Sequence, residues 1–243
     1  IGKKLWTSDK DGDPVLIRNF EDDDFEAIFI AQKIKEFKKK GVSLTNIAIL
    51  TRASFQFKDI EDRFLKENIK YRVVGGLRFY ERAEIKDAMA YFRILINKSD
   101  NLSLERILNT PKRGLGKALI KNLYDIVQKK NVSLYESLKL LFLSGTSNSS
   151  QKKSIQNFIS IIDRHTSALK STKHFEVAGS LLDDVGYTEM LQKEKTPESE
   201  GRLENLKKLI TDLKNRNSLE EFIEEVSLLN DTLNDSDFNE KVS

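Results

Sequence analysis

The sequence predicts an α/β piece followed by an all-α piece, predominantly helical overall. Three observations carry that reading. Over the first hundred residues short apolar runs alternate with helical spacing; beyond residue 100 the strand signals stop and one helical pattern follows another; glycine, proline and polar clusters punctuate those patterns where interhelical turns would fall.

"PVLIRNF" at 14–20 reads as a short strand, and the acidic run Glu21 to Asp24 opens a helix whose N-terminus it stabilises through the macrodipole. Phe25, Ile28, Phe29, Ile34 and Phe37 recur at helical spacing until Gly41 stops the pattern. "NIAILTR" at 46–52 is an apolar run short enough for a buried strand. Residues 57–67 give a helix with Ile60 and Phe64 four apart, and "YRVVGG" at 71–76 returns to strand. In "ERAEIKDAMAYFRILIN" the residues Ile85, Ala88, Met89, Phe92, Leu95 and Ile96 form one stripe, the strongest helix of the chain.

Helical patterns then cover 102–109, 117–130, 133–143, 152–169, 174–185, 201–215 and 219–229. "SGTSNSSQ" is a loop, Gly186 a C-terminal cap, "KTPESEG" a turn and "SLEE" a helix start. No repeat of fixed period is visible.

The chain has 243 residues, 39% apolar and 33% charged, a globular balance with a heavily charged surface. No run approaches the roughly 20 apolar residues that cross a bilayer, so no membrane partner is expected. The first residues lack the apolar core of a secretory signal and an initiator Met, which leads us to expect that the chain begins inside a longer protein. Zero Cys excludes disulfides and thiolate metal sites, and His165 and His174, without clustered carboxylates, do not make a zinc site. Nothing assembles a Ser-His-Asp set or a two-carboxylate hydrolase. Both histidines read as structural or solvated, and Glu81 and Glu84 as members of a charged helix face.

Net charge is only +3, but it is segregated. Residues 110–130 hold six Lys and Arg against Asp125 alone, whereas 219–240 hold eight carboxylates and no Lys or Arg. One surface therefore attracts a polyanion and another repels it. The cations centre on "TPKRGLGKAL" at 110–119. There Pro111 fixes one backbone angle, Gly114 and Gly116 permit a tight turn with bare amides, and a helix starting near Lys117 aims its unpaired amides at the same spot. Such a corner either holds a phosphate with backbone donors plus Lys112, Arg113 and Lys117, or is an ordinary interhelical turn with solvated lysines. The double glycine at 75 and 76 lacks the spacing of a dinucleotide fingerprint or a phosphate-binding loop. Around it Arg72, Arg78 and Arg82 mix with Tyr71, Phe79 and Tyr80, either as a single-strand stacking surface or as core aromatics beside surface arginines.

Taken in order, "IAILTRASFQ", "YRVVGGLRFYERAEIKDAMAYFRILIN", "LERILNTPKRGLG" and "RLENLKKLI" resemble the superfamily 1 DNA helicases of the UvrD, PcrA and Rep type, from about Gly2 to about Asn230. The resemblance implies a partial RecA-like α/β piece over 1–97, the front of a second motor domain, and a helical accessory (2B-like) domain over 98–230; charge and polarity lead us to expect an acidic, mobile tail over 231–243. It likens "RGLG" to the family's G-I-G turn, with Leu115 where Ile is usual, and so implies duplex-backbone contacts at Thr110, Lys112, Arg113, Gly114, Leu115, Gly116 and Lys117. Arg52 and Gln56 are the candidates for a single-strand path. The double glycine and the Glu81 to Arg93 helix are expected to be architectural.

The resemblance further implies a parent enzyme that translocates 3′ to 5′ with ATP and Mg²⁺ in DNA repair or replication, in a bacterial cytoplasm at the nucleoid, with a duplex–single-strand junction and repair proteins as partners. The phosphate-binding loop, the magnesium-holding Asp-Glu pair and the later arginine-bearing motifs do not occur here, so this stretch alone is expected to be inactive as an ATPase. Two other readings of the same residues are a protein-docking or autoinhibitory module, in which the acidic end meets a basic partner, and a subunit of a helicase-nuclease.

Overall fold

The structure, a computed structural model, describes residues 12–73, 78–144 and 148–228. The chain divides into two compact units, Ile1–Leu50 with Asp59–Tyr71, and Thr51–Lys58 with Arg72–Ser243, each taken here over its described residues.

In the first unit, helix α1 (Asp23–Lys39) is capped by Asp22, whose carboxylate accepts the Phe25 amide at 2.9 Å. Acidic residues fill its first turn and Lys38 and Lys39 its last, as the macrodipole favours. Its buried face is Ala27, Ala31 and Ile34, packed with Ile60 and Phe64 of α2 (Phe57–Lys66). Phe25 and Phe37, expected on the apolar stripe, lie outside it and are exposed.

The expected strands at 14–20 and 46–52 are not paired: no β-ladder occurs among the described residues. Val15, Ile17 and Leu50 stand 90%, 88% and 94% exposed. A strand with apolar side chains on both faces is stable only between neighbours that cover them, and no such neighbour is present among the described residues. The third expected strand runs into residues 74–77, outside the described residues, together with the double glycine. What is observed is a predominantly helical chain.

The second unit is all helix. α3 (Ala83–Ile96) buries Ile85, Ala88, Met89, Phe92 and Leu95 as expected, and Ala90, Tyr91 and Ile94 besides, whereas Ile96 is exposed. A helix apolar on all sides must be enclosed. α3 is, by α4 (Asn101–Ile107), α7 (Ser149–Ala168), α8 (His174–Asp184) and α10 (Pro197–Lys214). Although the sequence reading placed it at the end of the first piece, α3 thus forms the axis of the helical unit. α5 (Lys117–Lys130) and α6 (Leu134–Ser144) pack on each other, α9 (Tyr187–Glu194) packs on α8 and α10, and a last helix, α11, covers 219–228.

The turn expected at 195–201 is instead the start of α10. Thr196 and Ser199 form a reciprocal cap, and Pro197 occupies the first helical turn, where its missing N–H costs nothing. The acidic tail at 231–243 lies outside the described residues.

Buried polar pairs fasten α3 to its neighbours. Asn205 of α10 donates to the Glu84 carboxylate at 2.7 Å with both residues buried, so Glu84 belongs to the core and not to the solvated face expected of it. Asp87 accepts from Tyr187 at 2.8 Å and from Arg106 at 2.6 Å. Burial, reinforced by that carboxylate, pushes the Tyr187 phenol well above its ordinary range.

Candidate nucleic-acid interface

The corner joins the C-terminus of α4 to the N-terminus of α5 within the helical unit. The Thr110 amide bonds the Ile107 carbonyl at 3.1 Å, and the Thr110–Pro111 peptide is cis. The chain then folds back around one side chain: Asn109 Oδ1 accepts the amides of Arg113 at 2.8 Å and Leu115 at 3.1 Å. Leu115 is fully buried and pins the turn to the core. Gly114 adopts φ +74°, the left-handed region that glycine enters without penalty.

Gly116 is the N-cap of α5 and has no side chain to satisfy the first amides; its carbonyl accepts from Leu119 and Ile120. Among the described residues the amides of Gly114, Gly116, Lys117 and Ala118 have no hydrogen-bond partner. Lys112, Gly114, Lys117 and Ala118 are exposed, and so are Lys121, Lys129 and Lys130 farther along α5. None of these lysines has an ion pair among the described residues. Amides without a partner among the described residues, the positive end of the helix dipole and exposed ammonium groups are the donors with which a turn of this kind can hold an anion.

A Cβ added at Gly114 would meet nothing within 4 Å, so Gly114→Ala tests the backbone alone. It is expected to cost about 1–2 kcal/mol in urea-induced unfolding, and Gly114→Asn less, because asparagine tolerates the left-handed region better.

The cations of the corner divide in direction. The sequence reading groups Arg113 with Lys112 and Lys117 as phosphate contacts; the structure turns its guanidinium inward. Nη1 donates to the carbonyls of Ile107 and Pro111, both at 3.1 Å, and Nη2 to Tyr91 Oη at 2.7 Å and the Val185 carbonyl at 2.9 Å. The group lies over the rings of Phe158 and Tyr91, at 5.4 and 6.0 Å. Tyr91 in turn donates to the Thr110 carbonyl at 2.5 Å. Burial pushes its phenol up to about 12, against the opposing pull of Arg113. Leu115 likewise is fully buried, with its amide held by Asn109. Thr110 is half-buried, and its hydroxyl has no partner among the described residues.

Arg52 and Gln56 come together elsewhere in this unit, with Gln56 Oε1 accepting the amides of Arg52 at 3.1 Å and Ala53 at 3.0 Å. Gln56 therefore caps a short 3₁₀ turn, and the Arg52 side chain is exposed. The aromatics near the double glycine are core: Phe79 and Tyr80 are buried edge to face, and Tyr71 packs on Phe64. His165 is buried against Asp184 at 2.8 Å, and His174 donates to the Leu213 carbonyl at 3.0 Å, so both are structural. Among the described residues no cluster of His, Asp or Glu could hold a metal ion, and no helix is long and apolar enough to cross a membrane.

Helical packing around α3 and a basic glycine corner do not by themselves name a class of protein; comparison with known proteins gives the family. The family model described as the UvrD-like helicase C-terminal domain matches residues 1–243, and the chain belongs to that family. A probable DNA helicase II homolog of Rickettsia conorii is 37% identical over 229 residues, which is 94% of this chain and 35% of that protein. The ATP-dependent DNA helicase PcrA of Staphylococcus epidermidis is 33% identical over 241 residues, 94% of this chain and 32% of that protein. PcrA of Staphylococcus aureus is 32% identical over 237 residues. The chain spans about a third of the length of these curated relatives.

Proposed function

We propose that this chain is the duplex-gripping part of an ATP-dependent DNA helicase that moves 3′ to 5′ and acts in DNA repair or replication at the bacterial nucleoid. The observation that carries the reading is the corner itself: amides of Gly114, Gly116, Lys117 and Ala118 without a partner among the described residues, flanked by exposed Lys112 and Lys117, at the start of a helix. Contacts of this kind hold a phosphate without reading a base, so the grip is independent of sequence and weakens with salt. Family membership and relatives named as DNA helicases support the same substrate. In this reading the first unit, described over 12–50 and 59–71, contributes to a RecA-like motor domain, and Arg52 lies beside the single strand.

The residues present do not fit ATP and Mg²⁺. The sequence has no phosphate-binding loop, and the described residues offer no cluster of carboxylates for a metal. Nucleotide chemistry belongs to the rest of the helicase, and no step through it is assigned to this chain.

The test is binding of a duplex with a single-stranded tail, followed by fluorescence anisotropy between about 50 and 200 mM salt. The expected log–log slope is about −2 to −3, from two or three neutralised phosphates. Absent or salt-independent binding contradicts the reading.

A further inference from the structure

We propose that Arg113 is a positioning residue, which shapes the corner from beneath and leaves the DNA contacts to Lys112, Lys117 and the free amides. The inference rests on the duplex-gripping reading, but its basis is the direction of one guanidinium. Both terminal nitrogens of Arg113 are occupied: Nη1 is shared among the carbonyls of Ile107, Pro111 and, at 3.5 Å, Leu108, and Nη2 serves Tyr91 and Val185. The planar fork that would clasp a phosphate is spent on protein oxygens.

Those oxygens lie where they define the turn. Ile107 and Leu108 end α4, Pro111 lies inside the corner, Val185 ends α8, and Tyr91 passes the connection on to the Thr110 carbonyl. One side chain thus ties the corner at several points to three helices. With Asn109 holding the amides of Arg113 and Leu115, those of Gly114, Gly116, Lys117 and Ala118 are left without a partner among the described residues. A lysine at position 113 keeps the charge but, with a compact ammonium, cannot reach this set of oxygens in one plane.

The experiment separates charge from geometry. Arg113→Lys, Arg113→Gln and Lys112→Ala are compared with the unaltered chain on the tailed duplex across the salt range, well below each melting temperature. Without DNA, amide exchange of Leu115 is followed by NMR. Arg113→Lys is expected to weaken binding about tenfold, the equivalent of roughly one displaced contact, with an unchanged salt slope. Lys112→Ala is expected to lower the slope by about 0.9. Leu115 should exchange faster in both Arg113 variants.

Tyr91→Phe keeps the ring and removes only the hydroxyl relay, so it serves if an Arg113 variant fails to fold; the same changes, smaller, are expected of it. Arg113→Lys binding as tightly as the unaltered chain while Arg113→Gln loses slope as Lys112→Ala does would make Arg113 a phosphate contact and overturn the proposal. Leu115 exchange unmoved by every variant overturns it whether or not DNA binds. Failure of the duplex reading has its own signature, a salt slope that does not respond to Lys112→Ala.

Discussion

Replacing Lys112 and Lys117 together by alanine is expected to lower the log–log salt slope of duplex binding by about 1.8 and to abolish most of the affinity at physiological salt. Both side chains are exposed and have no ion pair among the described residues, so folding does not depend on them. Stability should stay within about 0.5 kcal/mol of the unaltered chain, and any lost binding is then lost contact. A matched control removes the same charge elsewhere. Lys129 and Lys130 end α5, which at about 1.5 Å per residue lies some 20 Å from Lys117. That distance exceeds the roughly 10 Å Debye length at 0.1 M salt, so their replacement should leave the slope nearly unchanged. Equal losses from the two double variants would mean that the corner is only part of a diffuse positive field.

Lys58→Ala is expected to produce the largest loss of stability, about 3–5 kcal/mol, from the breaking of a buried ion pair. The Lys58 side chain is 2% exposed, and its ammonium lies 3.1 Å from the Asp212 carboxylate of α10. It also stands over the rings of Phe79 and Tyr80, at 5.6 and 5.8 Å. Without it, Asp212 keeps the Tyr80 hydroxyl at 2.9 Å and a guanidinium contact from Arg216 at 3.9 Å, which leaves a largely buried carboxylate under-compensated. The double variant Lys58→Met with Asp212→Leu removes the charge along with its partner and should recover much of the loss. Urea unfolding of the three proteins checks this; a Lys58→Ala loss below about 1 kcal/mol would show that the pair contributes little.

The sequence made the helical unit legible because its signals are local. The stripe of α3, the helix start at Ser218 and the glycine corner all arise from residues within a few positions of one another. α9 and the first turn of α10 escaped because Gly186 and Pro197 read as breakers, whereas a glycine also precedes a helix and a proline also starts one. The runs at 14–20 and 46–52 carry a strand pattern without a paired strand among the described residues, since pairing is a property of neighbours and not of a segment.

At the site, the position of the corner and the outward direction of Lys112 and Lys117 follow from composition. The inward turn of Arg113 does not, because the oxygens that draw it in include Val185, 72 residues onward. The Glu84–Asn205 pair, 121 residues apart, was hidden for the same reason, whereas Asn109 was missed although the amides it holds belong to the same turn. A polar residue beside a glycine turn reads as surface until the carbonyls around it are placed.

The central claim, that backbone amides at a glycine corner hold a nucleic-acid backbone, is tested most directly by ¹⁵N–¹H NMR of this chain titrated with the tailed duplex. The account predicts that the amide signals of Gly114, Gly116, Lys117 and Ala118 shift first and exchange more slowly in the complex. Those four signals standing still at saturating duplex, while amides on α8 to α10 move, would contradict it.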